Sequence, residues 1–371
     1  MAEKFVSYSH SICLSNGKVK ELLLRSSSSG CGFIDQITFS FHEESILSSL
    51  REKLKDQYDC PLYEGLNPSD EKIDELARNS LISGISDEMT SIFGFGVSYK
   101  RNGKGNLFYE ETYSLGIEEF VYGTLHVGGT RQRGTVTIEM TGTGCLVAKE
   151  GWEERLYQFL TRCIRPKITR IDIAHDFLDG SYSPDQAVVD FDNGLFSRTN
   201  RVPKSECCGT DWRSHDNTGK TFYVGSRKSS KYVRVYEKGK QLGDKQSVWT
   251  RFEIEFKARD CVIPIEVLLS PSEYLAGAYP VCQKIFADIE KVSLIEIRKK
   301  KFDLTESKMI EWLKKQIGTS LNYFIRFKHL TAFEVIELLL PSHNRIPARL
   351  DPLSFSCLGA NYEQYGVQYT S

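Results

Sequence analysis

The chain is 371 residues long, 40% hydrophobic and 26% charged, with a net charge of −1. That length suggests two or three domains with ample core. Near-zero net charge excludes a global basic footprint, so any nucleic-acid contact must come from local patches. The ten cysteines (13, 31, 60, 145, 163, 207, 208, 261, 282 and 357) show no paired CxxC spacing. They read as reduced and buried, with Cys207–Cys208 a vicinal pair rather than a zinc knuckle. The first residues lack the apolar core of a signal peptide, and no run approaches a membrane span. The expectation is a soluble cytoplasmic protein with no membrane partner.

In chain order, FIDQITFSF (33–41) alternates and predicts a strand. EESILSSLREKLKD and DEKIDELARN, within 44–93, carry helical spacing. GFGVSYKRNGKGNLFYEETYSLG predicts a hairpin turning at Asn102–Gly105. VYGTLHVGG and GTVTIEMTGTGC read as two further strands, the second ending in a Gly-rich turn. Trp152–Cys163 is an amphipathic helix with Trp152, Leu156, Phe159, Leu160 and Cys163 on one stripe. After Pro166, ITRIDIAHDFLDG returns to a strand, and SPDQAVVDFDNG forms a helix with Ser183 as N-cap before Pro184. A long loop leads to three strands within 220–257.

Beyond about residue 265 the character changes: SPSEYLAGAYPVCQKIF carries a Pro/Gly break and Arg298–Lys301 is a basic run. Helices are expected near 305–317 and 331–340, then an irregular tail over 342–371. The domain division is 1–265 and 266–371. The first is α+β, a mainly antiparallel sheet with helices packed on one face and the active site on the other. The second is smaller, mostly helical, and suited to DNA binding or oligomerisation.

The chemistry concentrates on the strands of 167–177 and 220–257. Side chains alternate faces along a strand. Val233 and Val235 therefore oppose Tyr232, Arg234, Tyr236 and Lys238, while Phe252, Ile254 and Phe256 oppose Arg251, Glu253, Glu255 and Lys257. Arg170, Asp172, Ala174 and Asp176 share one face, and His175 falls with the apolar set as a buried histidine. Asp172 and Asp176 stand four residues apart on that face, roughly 13 Å at the backbone, with room between them for acids of a neighbouring strand. Asp172 and Asp176 with Glu253 and Glu255 are thus the candidate ligands of a hard cation, Mg²⁺ or Mn²⁺. The plain alternative is a salt-bridged strand with Asp172 paired to Arg170 or Arg251.

Tyr236 is the candidate nucleophile. An ordinary phenol, with a pKa near 10, needs help to attack phosphorus. Arg234 and Lys238, on the same face, are expected to favour the phenolate and bind the scissile phosphate. Tyr223 and Tyr232 are the rivals. The turn GSRKSS supplies Ser226, Arg227 and Lys228, and with Arg170, Arg251 and Lys257 it forms the candidate set for DNA phosphates.

Five segments in order, FIDQITFSF, IEMTGTGC, KITRIDIAHDF, FYVGSRKSSKYVRVYEKGKQLG and RFEIEFK, span about residues 33–257. Together they resemble the replication initiation factors of rolling-circle plasmids, filamentous phages and integrative conjugative elements. YLAGAYPVC resembles the filamentous-phage branch. The resemblance implies a sequence-specific, metal-dependent endonuclease that nicks one strand at an origin. Its tyrosine attacks the phosphate, leaving a 5′-phosphotyrosyl enzyme and a free 3′-OH that primes synthesis. Carried onto this chain, that tyrosine is Tyr236, and the acidic residues are Asp172 with Glu253 or Glu255. No His-hydrophobic-His triplet occurs, which counts against the two-histidine metal site of many nickases. The IEMTGTGC turn departs from the pattern at Thr141 and Thr143.

The implied partners are origin DNA, duplex and exposed single strand, with host helicase and polymerase, in a bacterial host's cytoplasm; a homodimer is also considered. A conjugative relaxase is the close alternative. A non-catalytic DNA-binding regulator on the same fold is the distant one.

Overall fold

A computed structural model describes residues 3–48, 70–287 and 320–339, apart from 15, 28–30, 104, 118, 199–200 and 215. Residue contacts divide the chain into two compact units, Met1–Lys299 and Lys300–Ser371.

The first unit opens with a hairpin that the sequence reading passed over: β1 (Phe5–Cys13) pairs antiparallel with β2 (Val19–Ser27). Tyr8, His10 and Ile12 alternate with exposed Ser7, Ser9 and Ser11, so one face is left to pack. Ile12 and Leu24 bury themselves against Trp249, with Tyr8, Leu14, Leu22, Leu178 and Leu242 around them.

The remaining strands form one ten-stranded antiparallel sheet. They are β3 (Phe33–His42), β4 (Gly96–Lys100), β5 (Glu111–Ile117), β6 (Phe120–Val127), β7 (Thr135–Met140), β8 (Lys167–Phe177), β9 (Ser205–Cys208), β10 (Thr221–Gly225), β11 (Lys231–Glu237) and β12 (Thr250–Lys257). The spatial order is β4-β5-β6-β7-β3-β8-β12-β11-β10-β9. The two halves share one plan. In each, a first strand (β3 or β8) leads through a helix to a four-stranded meander whose last strand returns to pair with the first. The halves meet where β3 pairs antiparallel with β8.

The helices are α1 (Asp70–Phe93), α2 (Gly142–Val147), α3 (Trp152–Arg162), α4 (Pro184–Asp192), α5 (Lys238–Gln241), α6 (Pro271–Ala276), α7 (Pro280–Ile285) and, in the second unit, α8 (Ala332–Leu339). The stripe read on α3 is buried, and Phe159 meets Phe41 of β3 edge-on at 5.1 Å between ring centroids. Phe93 at the end of α1 lies 5.3 Å from Trp152. Each such ring contributes about 2–3 kcal/mol by burial. The apolar residues of β3, β7, β8, β11 and β12 join these helices in one core. The opposite sheet face, carrying the polar set, is left for chemistry.

The N-cap expected at Ser183 is present, its hydroxyl accepting from the Gln186 amide at 3.1 Å. The Gly-rich turn after β7 is instead the short helix α2, with Thr141 accepting from the Gly144 amide at 3.1 Å. The expected α1 starts at Asp70, whereas most of EESILSSLREKLKD lies outside the described residues, as do the 305–317 helix, the Arg298–Lys301 run and the tail. In the second unit, Thr331 and Glu334 form a reciprocal capping box at the start of α8. The described cysteines are free thiols, most of them buried, but Cys13 and Cys207 are exposed, contrary to the expectation of uniform burial. Among the described residues no helix is long and apolar enough to cross a membrane.

Candidate active site

Strands β8, β12, β11 and β10 lie side by side, and their register brings the alternating polar sets onto one face. Asp172 faces Glu255, Asp176 faces Arg251, and Glu253 lies between Ala174 and Arg234. Tyr236 stands opposite Arg251 on one side and Thr221 on the other. Such cross-strand neighbours stand roughly 4.5–5.5 Å apart, close enough for charged pairs to touch.

This face is far drier than a solvated sheet surface. Asp172 is 0% exposed, Glu253 2%, Glu255 6% and Arg251 7%. Buried charges persist only when paired, and here arginines do the pairing. Arg170 grips Asp172 through two bonds of 2.8 and 2.6 Å and reaches Glu255 at 2.8 Å. Arg234 bridges Asp172, at 3.0 Å, and Glu253. Arg251 holds Asp176 bidentately at 2.7 and 2.8 Å and Asp35 at 2.7 Å. The Asp172–Arg170 pair is thus realised, while Arg251 takes Asp176 instead.

Asp35 escaped the sequence reading. It sits at a register shift of β3 between Ile34 and Gln36, and a bulge of this kind re-aims a side chain. The detectable signal was an acid inside an otherwise apolar, alternating strand. The backbone of Gly142 at the start of α2 lies close to Asp35, so a larger residue there would press on its carboxylate.

The Tyr236 hydroxyl donates to Glu253 Oε2 at 3.3 Å. Burial, then the Glu253 charge, push the phenol well above its ordinary value, while Arg251 pulls it down. The expected stabilisation of a resting phenolate by Arg234 and Lys238 is therefore not what the structure shows. Arg234 is committed to two carboxylates. Lys238 opens α5 instead of continuing the strand; its ammonium lies 5.6 Å over the Tyr236 ring and bonds Gln241 at 3.2 Å. Burial and Arg251 depress the Lys238 ammonium. Glu253 is raised to about 8, first by burial and then by Asp35, against the pull of Arg234. Asp172 is raised for the same leading reason.

Tyr223 and Tyr232 stack on each other, 5.4 Å between centroids and 8° from parallel, farther along the strands. Arg227 lies 5.9 Å over Tyr232, and burial raises that phenol. Among the described residues neither hydroxyl has a carboxylate bonded to it as Tyr236 has. In the GSRKSS turn, Ser226 accepts from the Lys228 amide at 3.3 Å and Lys228 is exposed. Lys257 donates to the Arg227 carbonyl at 2.9 Å and pairs with Glu255. His175 packs against Phe177 and Phe286 at 4.5 and 5.2 Å, and burial lowers its pKa, as its parity implied.

A cleft of about 370 Å³ opens beside the tyrosine, lined among others by Leu24, Asp35, Gly142, Lys238, Trp249 and Arg251. The β1–β2 hairpin forms one wall, anchored by the buried Arg25–Glu153 pair at 3.0 Å and by Arg25 donating to the Cys145 carbonyl at 2.9 Å.

A hard divalent cation takes free carboxylate oxygens, Mg²⁺ often only one or two of them beside water and substrate phosphate. Among the described residues no three His, Cys, Asp or Glu side chains form a group that could hold a metal ion. The oxygens of Asp172, Asp176, Glu253 and Glu255 instead carry guanidinium or ammonium partners. As arranged, these carboxylates fit arginine and do not fit a metal.

Comparison with known proteins bears on what this face serves. A solved rolling-circle replication initiator protein from Geobacillus stearothermophilus is 20% identical with a TM-score of 0.41, over 70% of this chain and 80% of that one. The "Putative DNA relaxase NicK" of Bacillus subtilis (strain 168) is 28% identical over 151 residues, 37% of this chain. The match spans 42% of that relative's length. The family described as replication initiation factor matches residues 166–340, which take in β8 to β12 and the tyrosine face. Over those residues, somewhat under half of the chain, the sequence is similar to the replication initiation factor family.

Proposed function

We propose that this protein nicks one DNA strand at an origin through Tyr236 and so initiates rolling-circle replication. One observation carries the reading: the Tyr236 hydroxyl donates to a buried carboxylate, Glu253, whose pKa stands at about 8. A base with a pKa near the working pH accepts a proton effectively while remaining partly ionised. The match of residues 166–340 to the replication initiation factor family supports the reaction class.

Deprotonated Glu253 takes the phenol proton as Tyr236 Oη attacks phosphorus. The O–H bond breaks, the O–P bond forms, and the bond from phosphorus to the 3′ oxygen breaks. The 5′ end is left on the tyrosine. The proton now on Glu253 passes to the departing 3′ oxygen, giving a free 3′-OH and restoring the base. Arg251 favours negative charge on the attacking oxygen, and Lys238 over the ring supplies positive charge toward the phosphate. No step is routed through Mg²⁺ or Mn²⁺, because the carboxylates expected to bind one are held by arginines. Run backwards, the same steps rejoin strands.

The partner in this reading is origin DNA, with a helicase and a polymerase acting on the product. The named relative gives one alternative its support: a DNA relaxase for transfer would use the same chemistry.

The test is incubation of the purified protein with supercoiled origin DNA, with and without Mg²⁺ or Mn²⁺. A covalent adduct should form, vanish in Tyr236→Phe and persist in Tyr223→Phe and Tyr232→Phe. An adduct that survives Tyr236→Phe overturns the nucleophile. No adduct under any condition favours a DNA-binding regulator.

A further inference from the structure

Away from the tyrosine face, a groove of about 630 Å³ lies at the end of the β10–β11 hairpin. Arg198, Arg201, Lys204, Lys228 and Lys231 line it, against the single carboxylate of Asp260. In a chain of net charge −1, five cations to one acid is a marked local segregation. Lys231 has the opposite parity to Tyr236, so the groove opens on the helix-bearing side of the strand end.

The groove is built by the chain around it. The Gly225 amide donates to the Lys204 carbonyl at 2.7 Å, tying the 201–204 segment to the hairpin. Lys231 donates to the Ala278 carbonyl at 3.2 Å, and Arg198 to that of Gly277. Ser230 bonds Asp260 at 3.4 Å, turning the acid toward a hydroxyl. Among the described residues no carboxylate pairs with Lys204, Lys228 or Lys231. Burial, then the neighbouring Arg198 charge, depress the Lys231 ammonium to about 8. A buried ammonium beside another cation is favoured by an anion brought alongside it.

We propose that this groove is a second DNA site, holding the phosphodiester backbone of the substrate a few nucleotides from the nicked phosphate. The choice of DNA rests on the nicking reading above. Between Lys231 and Tyr236 the strand runs roughly 16 Å, at about 3.3 Å per residue. Because the two side chains leave opposite faces, the backbone path round the hairpin end is longer than that, so the spacing is at least about five nucleotides at the rise of duplex DNA. The cations, hydroxyls and amides of the groove suit backbone rather than bases, and its two aromatic rings, Phe196 and Tyr279, pack on each other at 5.9 Å.

The experiment measures binding of origin oligonucleotides by anisotropy across a salt series. Full-length wild-type protein is compared with Lys204→Ala, Arg201→Ala and the double variant. The expected result is a salt slope lower by about 1 for each cation removed. The affinity loss should appear with oligonucleotides reaching about ten nucleotides beyond the nick site and shrink with those truncated to about three. Lys204→Arg should restore the slope. Slopes and affinities unchanged in both single and double variants overturn the proposal. So does loss of inorganic pyrophosphate binding with DNA binding intact, which marks a small-anion site only. Adduct formation by the wild-type protein on the truncated oligonucleotide is scored alongside. Its absence removes the nicking reading, while the salt slopes still report on the groove.

Discussion

Replacing Glu253 by glutamine removes the proposed base while keeping its size and one hydrogen-bonding oxygen. With its pKa at about 8, about a tenth of the wild-type carboxyl is ionised at about pH 7 and about nine-tenths at about pH 9. If attack by Tyr236 requires the ionised form, adduct formation accelerates about tenfold over that interval and then levels. A positioned base is worth about 10²–10⁴ in rate, so Glu253→Gln should slow the step by that factor and lose the rise with pH. The assay is single-turnover adduct formation on a labelled oligonucleotide, quenched over time at each pH. A wild-type profile flat across this window, or a Glu253→Gln variant with the same rise, refutes the assignment of Glu253 as base.

The same carboxyl affects stability. Its folded pKa lies above the ordinary 4.5, so between those values the folded state binds more protons than the unfolded one. Its contribution is full below about 4.5 and is lost as pH rises toward about 8. Thermal melts should show wild-type stability falling across that range and Glu253→Gln falling less. Arg251→Ala leaves Asp35 and Asp176 without their shared cation, which costs about 3–5 kcal/mol for a buried pair. Urea unfolding should show that loss. Arg251→Lys should recover only part of it, since an ammonium lacks the fork that holds Asp176 through two bonds.

The catalytic strands were legible because alternation is a local property. Tyr236, Arg234 and Glu253 share a face whatever surrounds them, and the pairing of β11 with β12 brings Arg234 opposite Glu253. What covers that face is not local. The β1–β2 hairpin was marked by Asn16–Gly17, a strong hairpin turn signal, and by the alternation of Tyr8, His10 and Ile12. Without the hairpin, the polar face looks solvated rather than dry. Asp35 was hidden because alternation assumes an unbroken register, and the bulge breaks it. The metal site illustrates another limit. Alternation shows that carboxylates share a face, but cannot tell whether a guanidinium or a metal ion meets them.

The five-plus-five plan gives the two halves of the sheet the same strand order about the β3–β8 seam. The strand of the first half that corresponds to β12 is β7, where Glu139 accepts from Thr124 and contacts a buried His126. The counterpart of the Tyr236 strand is β6, whose Tyr122 packs against Phe95 and Phe120, and among the described residues no arginine is ion-paired with Glu139. The two halves thus differ in chemistry while staying zipped along β3 and β8. Changes on the first half's polar face leave the nucleophile's neighbours in place. A change that loosens the shared seam is felt on both sides, because Asp35 reaches across it from β3 to Arg251.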